Sequence, residues 1–249
     1  AELAYRIHDL APNPETTVVV NCAGRTRSII GAQSLINAGV PNPVVALENG
    51  TMGWHLAGFE LERGQRRNFN EVSPDALVVA EMRAAMVRDR FEVPVTDHAQ
   101  VSTWLKDPTR TTYLLDVRDP AEFQQAHLPG SKSSPGGQLV QATDLYVGVR
   151  RARLVLIDDT GVRASMSASW LIQMGWHDVH VLYGISALFT ESGSQQQQIS
   201  NLNQQPIEYI SAEKLRDALE GSEKVHVADL ATSLQYRDQG HIPGAWFTV

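Results

Sequence analysis

Residues 17–22 read Thr17-Val18-Val19-Val20-Asn21-Cys22, and residues 153–158 read Arg153-Leu154-Val155-Leu156-Ile157-Asp158. Both are apolar runs rich in branched side chains, the composition of a strand buried on both faces inside a parallel sheet. Each run enters a short polar loop, Ala23-Gly24-Arg25-Thr26-Arg27-Ser28 in one case and Asp159-Thr160-Gly161-Val162-Arg163-Ala164 in the other. Each loop opens a helical pattern, IIGAQSLINAG and SMSASWLIQMG, that stops at Gly39 or Gly175 as a helix C-terminus does. Another apolar run follows in each, Val44–Leu47 and Val179–Leu182. The two segments are copies of one strand–loop–helix–strand unit.

A second pair of copies uses different pieces. Leu114-Leu115-Asp116-Val117-Arg118-Asp119-Pro120 leads through Glu122-Phe123 to Ala126-His127-Leu128-Pro129-Gly130. Val227-Ala228-Asp229-Leu230-Ala231-Thr232 leads through Tyr236 to Gly240-His241-Ile242-Pro243-Gly244-Ala245. Helices are expected before both, near 97–106 and 211–220, with Thr96 and Ser211 as N-caps. Strand alternating with helix at these spacings predicts an α/β fold with a mainly parallel sheet.

The order of the halves sets the domain plan. Residues 92–190 hold a front half and a back half and read as a complete domain. Residues 1–64 hold only a back half, and residues 207–249 only a front half. A connecting segment, 65–91, carries a helix from Ser73 to Arg88, and a polar linker, 191–206, contains SGSQQQQISNLNQQ. A half-domain alone exposes a sheet edge and an apolar helix face, which is unfavourable in water. Residues 207–249 are therefore expected to complete residues 1–64, either within one chain or by exchange between two copies in a homodimer.

Composition narrows the function. A formal charge of −7 over 249 residues argues against a nucleic-acid partner. The local arginine groups at Arg25/Arg27, Arg63/Arg66/Arg67 and Arg150/Arg151/Arg153 read as solvated surface unless a site claims them. No apolar run has the length of a membrane span, and the start, AELAYRIHDL, lacks the shape of a signal peptide. The absence of an initiator Met suggests a fragment or a processed chain. One cysteine cannot form an internal disulfide, so the cytoplasm is the expected location.

At Cys22 the loop resembles the active-site pattern of the rhodanese family, C-x-x-x-x-[RT] between a buried strand and a helix. Cys22-Ala23-Gly24-Arg25-Thr26-Arg27 matches it, and the Asp-x-Arg and Gly-His-Ile-Pro-Gly-Ala motifs resemble further family signatures. The resemblance covers all but the connectors and is closest to a fragment of a multi-domain tandem rhodanese. It implies rhodanese-like α/β domains, each a mainly parallel central sheet flanked by helices on both faces. It also implies sulfur transfer from a donor such as thiosulfate to a thiol or cyanide acceptor.

The residues support that chemistry directly. A thiol is nucleophilic only as thiolate, and an ordinary thiol is mostly protonated at neutral pH. A helix start directs free N–H groups and a positive dipole end at the sulfur, and a tight loop adds an amide nest. Arg25 and Arg27 can add charge and hold an oxyanion donor. Cys22 is thus the expected nucleophile, with Ala23, Gly24, Arg25, Thr26, Arg27 and Ser28 around the substrate; Thr26 and Ser28 are alternatively helix caps. No metal or organic cofactor is required.

Counting back five from Arg163 lands on Asp158, so the middle copy carries a degenerate site, Asp158 with Arg163. A carboxylate cannot carry a persulfide but can occupy its own anion nest. The front half that is to partner Cys22 has Ala231 where the other copy has Arg118. His127 and His241 read as turn residues, Glu122 as a loop anchor, and the tryptophans, Trp54 and Trp170 among them, as core or interface. Two rivals remain. A cysteine phosphatase of this loop type has its arginine six positions after the cysteine, where this chain has Ser28. A persulfide-relay or binding module would hold sulfur without turnover.

Overall fold

Each residue of the run Leu154–Ile157 is fully buried, which fits a central parallel strand covered on both faces. The computed structural model describes residues 1–65, 71–194, 208–221 and 224–248. Arg66, Arg67 and most of the polar linker expected at 191–206 lie outside the described residues. The chain divides into two compact units, Ala1–Gln196 and Gln197–Val249.

The first unit begins with helix α1 (Glu2–Leu10), strand β1 (Val18–Val20), helix α2 (Thr26–Asn37), strand β2 (Val44–Ala46) and helix α3 (Gly50–Leu56). Helix α4 (Pro74–Arg90) and helix α5 (His98–Leu105) lead to strand β3 (Thr112–Asp116), helix α6 (Pro120–Gln125), strand β4 (Lys132–Ser133) and helix α7 (Gly136–Gln141). Strand β5 (Arg153–Ile157), helix α8 (Val162–Gln173) and strand β6 (Val179–Leu182) follow. The strands form a parallel sheet in the order β4-β3-β5-β6 and a separate parallel pair, β1-β2.

Side chains alternate across the four-stranded sheet, as strand geometry requires. Leu115, Leu154, Leu156 and Val181 face one side and pack with Leu139 of α7 and Ala164, Ala168 and Leu171 of α8. Leu114, Val155, Ile157 and Leu182 face the other side, with Val101 and Trp104 of α5. The β1–β2 pair has cover on one side only: Val20 is buried, while Val19 and Val45 are about half exposed.

The 1–64 segment joins the rest of its unit through a third cluster, which includes Ile7 of α1, Leu35 of α2, Val87 of α4 and Met166 of α8. Small residues make the close approach possible. Ala76, Ala80 and Ala84 recur every fourth residue on the buried stripe of α4. Ser73 caps α4 by accepting from the Ala76 N–H, and the Asp9 carboxylate accepts from both the Ser73 amide and hydroxyl. Trp170 donates its indole N–H to Ser34 Oγ at 2.8 Å, tying α8 to α2. Trp54, in contrast, is 45% exposed on α3.

Local signals placed most boundaries. Gly39 and Gly175 follow α2 and α8 with positive φ, where a side chain is strained. The cap of α5 is Asp97 rather than Thr96: its carboxylate accepts from the Gln100 N–H, and a carboxylate is the stronger acceptor at a helix start.

The second unit contains helix α9 (Ala212–Glu220), capped by Ser211, and strands β7 (Ala228–Asp229) and β8 (Trp246–Phe247), which pair in parallel. Both front halves use the same turn chemistry. His127 Nδ1 donates to the Phe123 carbonyl and its ring stacks on Phe123; His241 Nδ1 donates to the Tyr236 carbonyl and stacks on Tyr236. The Asp116 and Asp229 carboxylates each accept the N–H two residues on, from Arg118 and Ala231. No helix among the described residues is long and apolar enough to cross a membrane.

Candidate active site

Strand β1 ends at Val20, and α2 starts six residues later at Thr26. The intervening loop wraps Cys22, the one free thiol, which is partly exposed. Arg25 is the N-cap residue of α2 and caps no N–H with its side chain. The first-turn amides are therefore left facing the loop. Cys22 Sγ lies 3.5 Å from Ser28 Oγ, and the Ser28 hydroxyl also lies 2.8 Å from the Arg25 carbonyl, to which it donates. Ser28 is almost fully buried, whereas Ala23, Arg25, Thr26 and Arg27 are exposed.

The Cys22 thiol is held below the ordinary value. The side-chain hydrogen bond between Cys22 and Ser28 contributes most, burial opposes it, and the backbone N–H groups of Ser28, Gly24 and Arg27 add to the lowering. Neither Thr26 nor Ser28 serves as a helix cap by accepting an N–H; Ser28 turns inward to the sulfur instead. Arg27 borders a cleft of about 290 Å³ together with Ile30, Gly31, Arg118 and Gln138, and Cys22 does not line it. Arg118 is engaged structurally: it grips the Asp116 carboxylate, donates to the Ala126 carbonyl at 2.7 Å and lies over the Phe189 ring.

Sequence reasoning missed what supports the loop from below. The N-terminus of α3 holds it, with the Thr51 N–H donating to the Cys22 carbonyl and the Met52 N–H to the Ala23 carbonyl. Gly50 sits under the loop at φ +57°, and a Cβ there would collide with the carbonyl oxygens of Cys22 and Gly24. The Asn49-Gly50 dipeptide is a turn signal, and both residues have positive φ, but the dipeptide does not say what lies above it. Gly50→Ala is expected to lower stability by about 1–3 kcal/mol and to slow alkylation of Cys22 at neutral pH. Denaturant melts and iodoacetamide kinetics check both.

The middle copy shows the same loop filled by its own anion. Asp158 is fully buried; Oδ1 accepts from the Gly161 N–H at 2.7 Å, and Oδ2 from the Arg163 and Ala164 N–H groups at 2.8 and 3.3 Å. Burial pushes its carboxyl up to about 6, against the Arg163 charge and these amide donors. The Arg163 guanidinium points out of the loop. It pairs with Glu2 at 2.8 Å, Glu122 at 2.6 Å and Asp159 at 2.8 Å, and it lies over the Tyr5 ring. Burial works against its charge, but Glu122 and the neighbouring carboxylates more than offset this and raise its pKa. Glu122 is a loop anchor: it also closes the capping box of α6 with Asp119. Among the described residues no group of three or more His, Cys, Asp and Glu side chains is gathered to hold a metal ion.

Comparison with known families matches residues 97–188 to the rhodanese-like domain. Among solved structures, the chain is similar to the thiosulfate sulfurtransferase from Pseudomonas aeruginosa, with 52% identity over 99% of this chain and a TM-score of 0.86. The chain spans 46% of the length of that protein. It also aligns with a rhodanese from E. coli solved with anions (21% identity, 28% of this chain and 84% of that one, TM-score 0.27). A third alignment is with the rhodanese-like domain of the Anabaena Alr3790 protein (23% identity, 47% and 88%, TM-score 0.31). No curated protein sequence matches the chain.

Proposed function

The chain belongs to the rhodanese family, and from that premise we propose that it is a sulfurtransferase working through a persulfide on Cys22. The observation that supports this reading is the placement of a partly exposed thiol against the Ser28 hydroxyl and three backbone N–H groups, which hold it toward the thiolate. In the first step the thiolate attacks the outer sulfur of a donor such as thiosulfate. The donor S–S bond breaks, sulfite leaves with its electron pair, and Cys22 becomes Cys22-S-S⁻. In the second, a thiolate or cyanide attacks the outer sulfur, and the Cys22 thiolate departs. No electrons are gained or lost overall, and no cofactor is required.

The Asp158 loop supports the same reading by analogy within the chain. Its amides hold an anion attached to the residue at the position of Cys22. A persulfide is also an anion one bond further out. The middle copy has no thiol, so we assign it no sulfur transfer. Ala23, Gly24, Arg25, Thr26 and Arg27 are proposed to surround the donor, in the cytoplasm. Intact-mass measurement after thiosulfate treatment tests the reading: a gain of about one sulfur mass, discharged by cyanide with release of thiocyanate, is the expected result. A persulfide that cyanide leaves untouched would favour a relay module.

We further propose that residues 207–249 complete residues 1–64. The half-exposed Val19 and Val45 of the β1–β2 pair supply the motive. Hydrogen exchange is expected to show the Val19 amide, which faces away from β2, protected, and sedimentation to distinguish a monomer from an exchanged homodimer. Fast exchange at Val19 in the whole chain would defeat the proposal.

A further inference from the structure

We infer that Ser28 is the hydrogen-bond donor that keeps the Cys22 sulfur ionised, and that Cys22 and Ser28 form one functional pair which the middle copy has exchanged together for Asp158 and Ala164. The inference rests on the reading of Cys22 as a nucleophile and adds a role for Ser28 distinct from donor binding.

The geometry gives the hydroxyl two acceptors and one hydrogen. Ser28 Oγ lies 3.5 Å from Cys22 Sγ and 2.8 Å from the Arg25 carbonyl oxygen. With Cys22 protonated, the S–H donates to Ser28 Oγ and the hydroxyl donates to Arg25. With Cys22 ionised, rotation about the Cβ–Oγ bond turns the hydroxyl hydrogen onto the sulfur, with no movement of heavy atoms. A hydrogen bond to an anion is stronger than one to a neutral carbonyl. The Arg25 carbonyl keeps the Ile29 N–H as its donor when the hydroxyl turns away. Burial of Ser28 on the first turn of α2 fixes the hydroxyl in place.

The comparison between copies is independent of that geometry. Position by position, Cys22 corresponds to Asp158 and Ser28 to Ala164. In the middle copy two carboxylate oxygens divide the loop amides between them, and the Ala164 backbone N–H is one of the donors. The anion there is satisfied without a hydroxyl. A single sulfur atom offers one acceptor centre, less well matched to amides spread around a loop. The hydroxyl is present where the sulfur is and absent where the carboxylate is.

The role bears on both half-reactions. A more stable thiolate is a larger fraction of the enzyme at neutral pH, and it is a better leaving group when the acceptor takes the outer sulfur. Its intrinsic nucleophilicity falls only in part as the pKa falls.

Ser28→Ala tests the inference in the full chain, and the backbone tolerates alanine at the matching position, Ala164. The readout is the pH dependence of Cys22 alkylation by iodoacetamide, which needs no sulfur donor. In Ser28→Ala the midpoint is expected to move to higher pH and the rate at pH 7 to fall roughly three- to tenfold, with the high-pH plateau retained. Ser28→Thr, which keeps a hydroxyl, is expected to return the midpoint toward that of the parent. An unchanged midpoint in the alanine variant would overturn the inference, as would a threonine variant behaving like alanine. A shifted midpoint in a chain that never turns over thiosulfate would leave the Ser28 role standing and remove the sulfurtransferase reading. Turnover with an unshifted midpoint would do the reverse.

Discussion

Cys22→Ser is expected to abolish thiosulfate:cyanide turnover, by roughly a thousandfold or more, and to remove the mass gain seen after donor treatment. The reasoning is chemical. A serine hydroxyl is almost entirely protonated at neutral pH, and oxygen in place of sulfur offers no comparably stable sulfane-carrying intermediate. The chain holds one cysteine, so no neighbouring thiol can take over. The side chain is partly exposed and the substitution changes one atom, so the melting temperature is expected to stay close to that of the parent. Unchanged turnover in the serine variant would place the chemistry elsewhere and remove the proposed mechanism. Loss of turnover together with loss of the fold would be seen in the melt.

The largest effect on stability is expected from Arg163→Ala. The guanidinium is fully buried and joins Glu2 of α1, Glu122 of α6 and Asp159 of its own loop, beneath the Tyr5 ring. Removing it leaves three carboxylates facing one another around a space the size of an arginine head. Each is partly exposed, and water can enter to relieve part of the repulsion. A loss of about 3 kcal/mol follows from the measured consequences of breaking buried pairs, reduced for that hydration. Urea unfolding of the whole chain measures it. Arg163→Lys is expected to recover only part, because one ammonium cannot reproduce the planar fork that serves three acceptors. An alanine variant as stable as the parent would mean that this network is neutral.

Arg163 shows how much of the site could be read in the chain alone. Its place five residues after Asp158 was plain, and its correspondence with Arg27 suggested a shared role in the loop. Its partners stand 161 and 41 residues away, at Glu2 and Glu122, and no local pattern points to them. Arg25 and Arg27 likewise were natural candidates for charging the sulfur. The side chain hydrogen-bonded to the sulfur is instead that of Ser28, a residue that local pattern offers as a donor contact or a helix cap. Gly50, 28 positions after Cys22, carries the loop and left only an Asn-Gly turn as its trace.

Sequence by itself determined the strand–loop–helix units, their duplication, the strand ends carrying Cys22 and Asp158, and the inability of Asp158 to bear a persulfide. Those properties follow from periodicity, loop length and functional-group chemistry, which neighbouring residues set. Tertiary structure alone decided which groups face the sulfur, which arginine is spent on structure, and that Asp97 rather than Thr96 caps α5. Long flexible side chains take their direction from whichever distant acceptors packing brings within reach, and that competition has no counterpart in a local stretch of sequence.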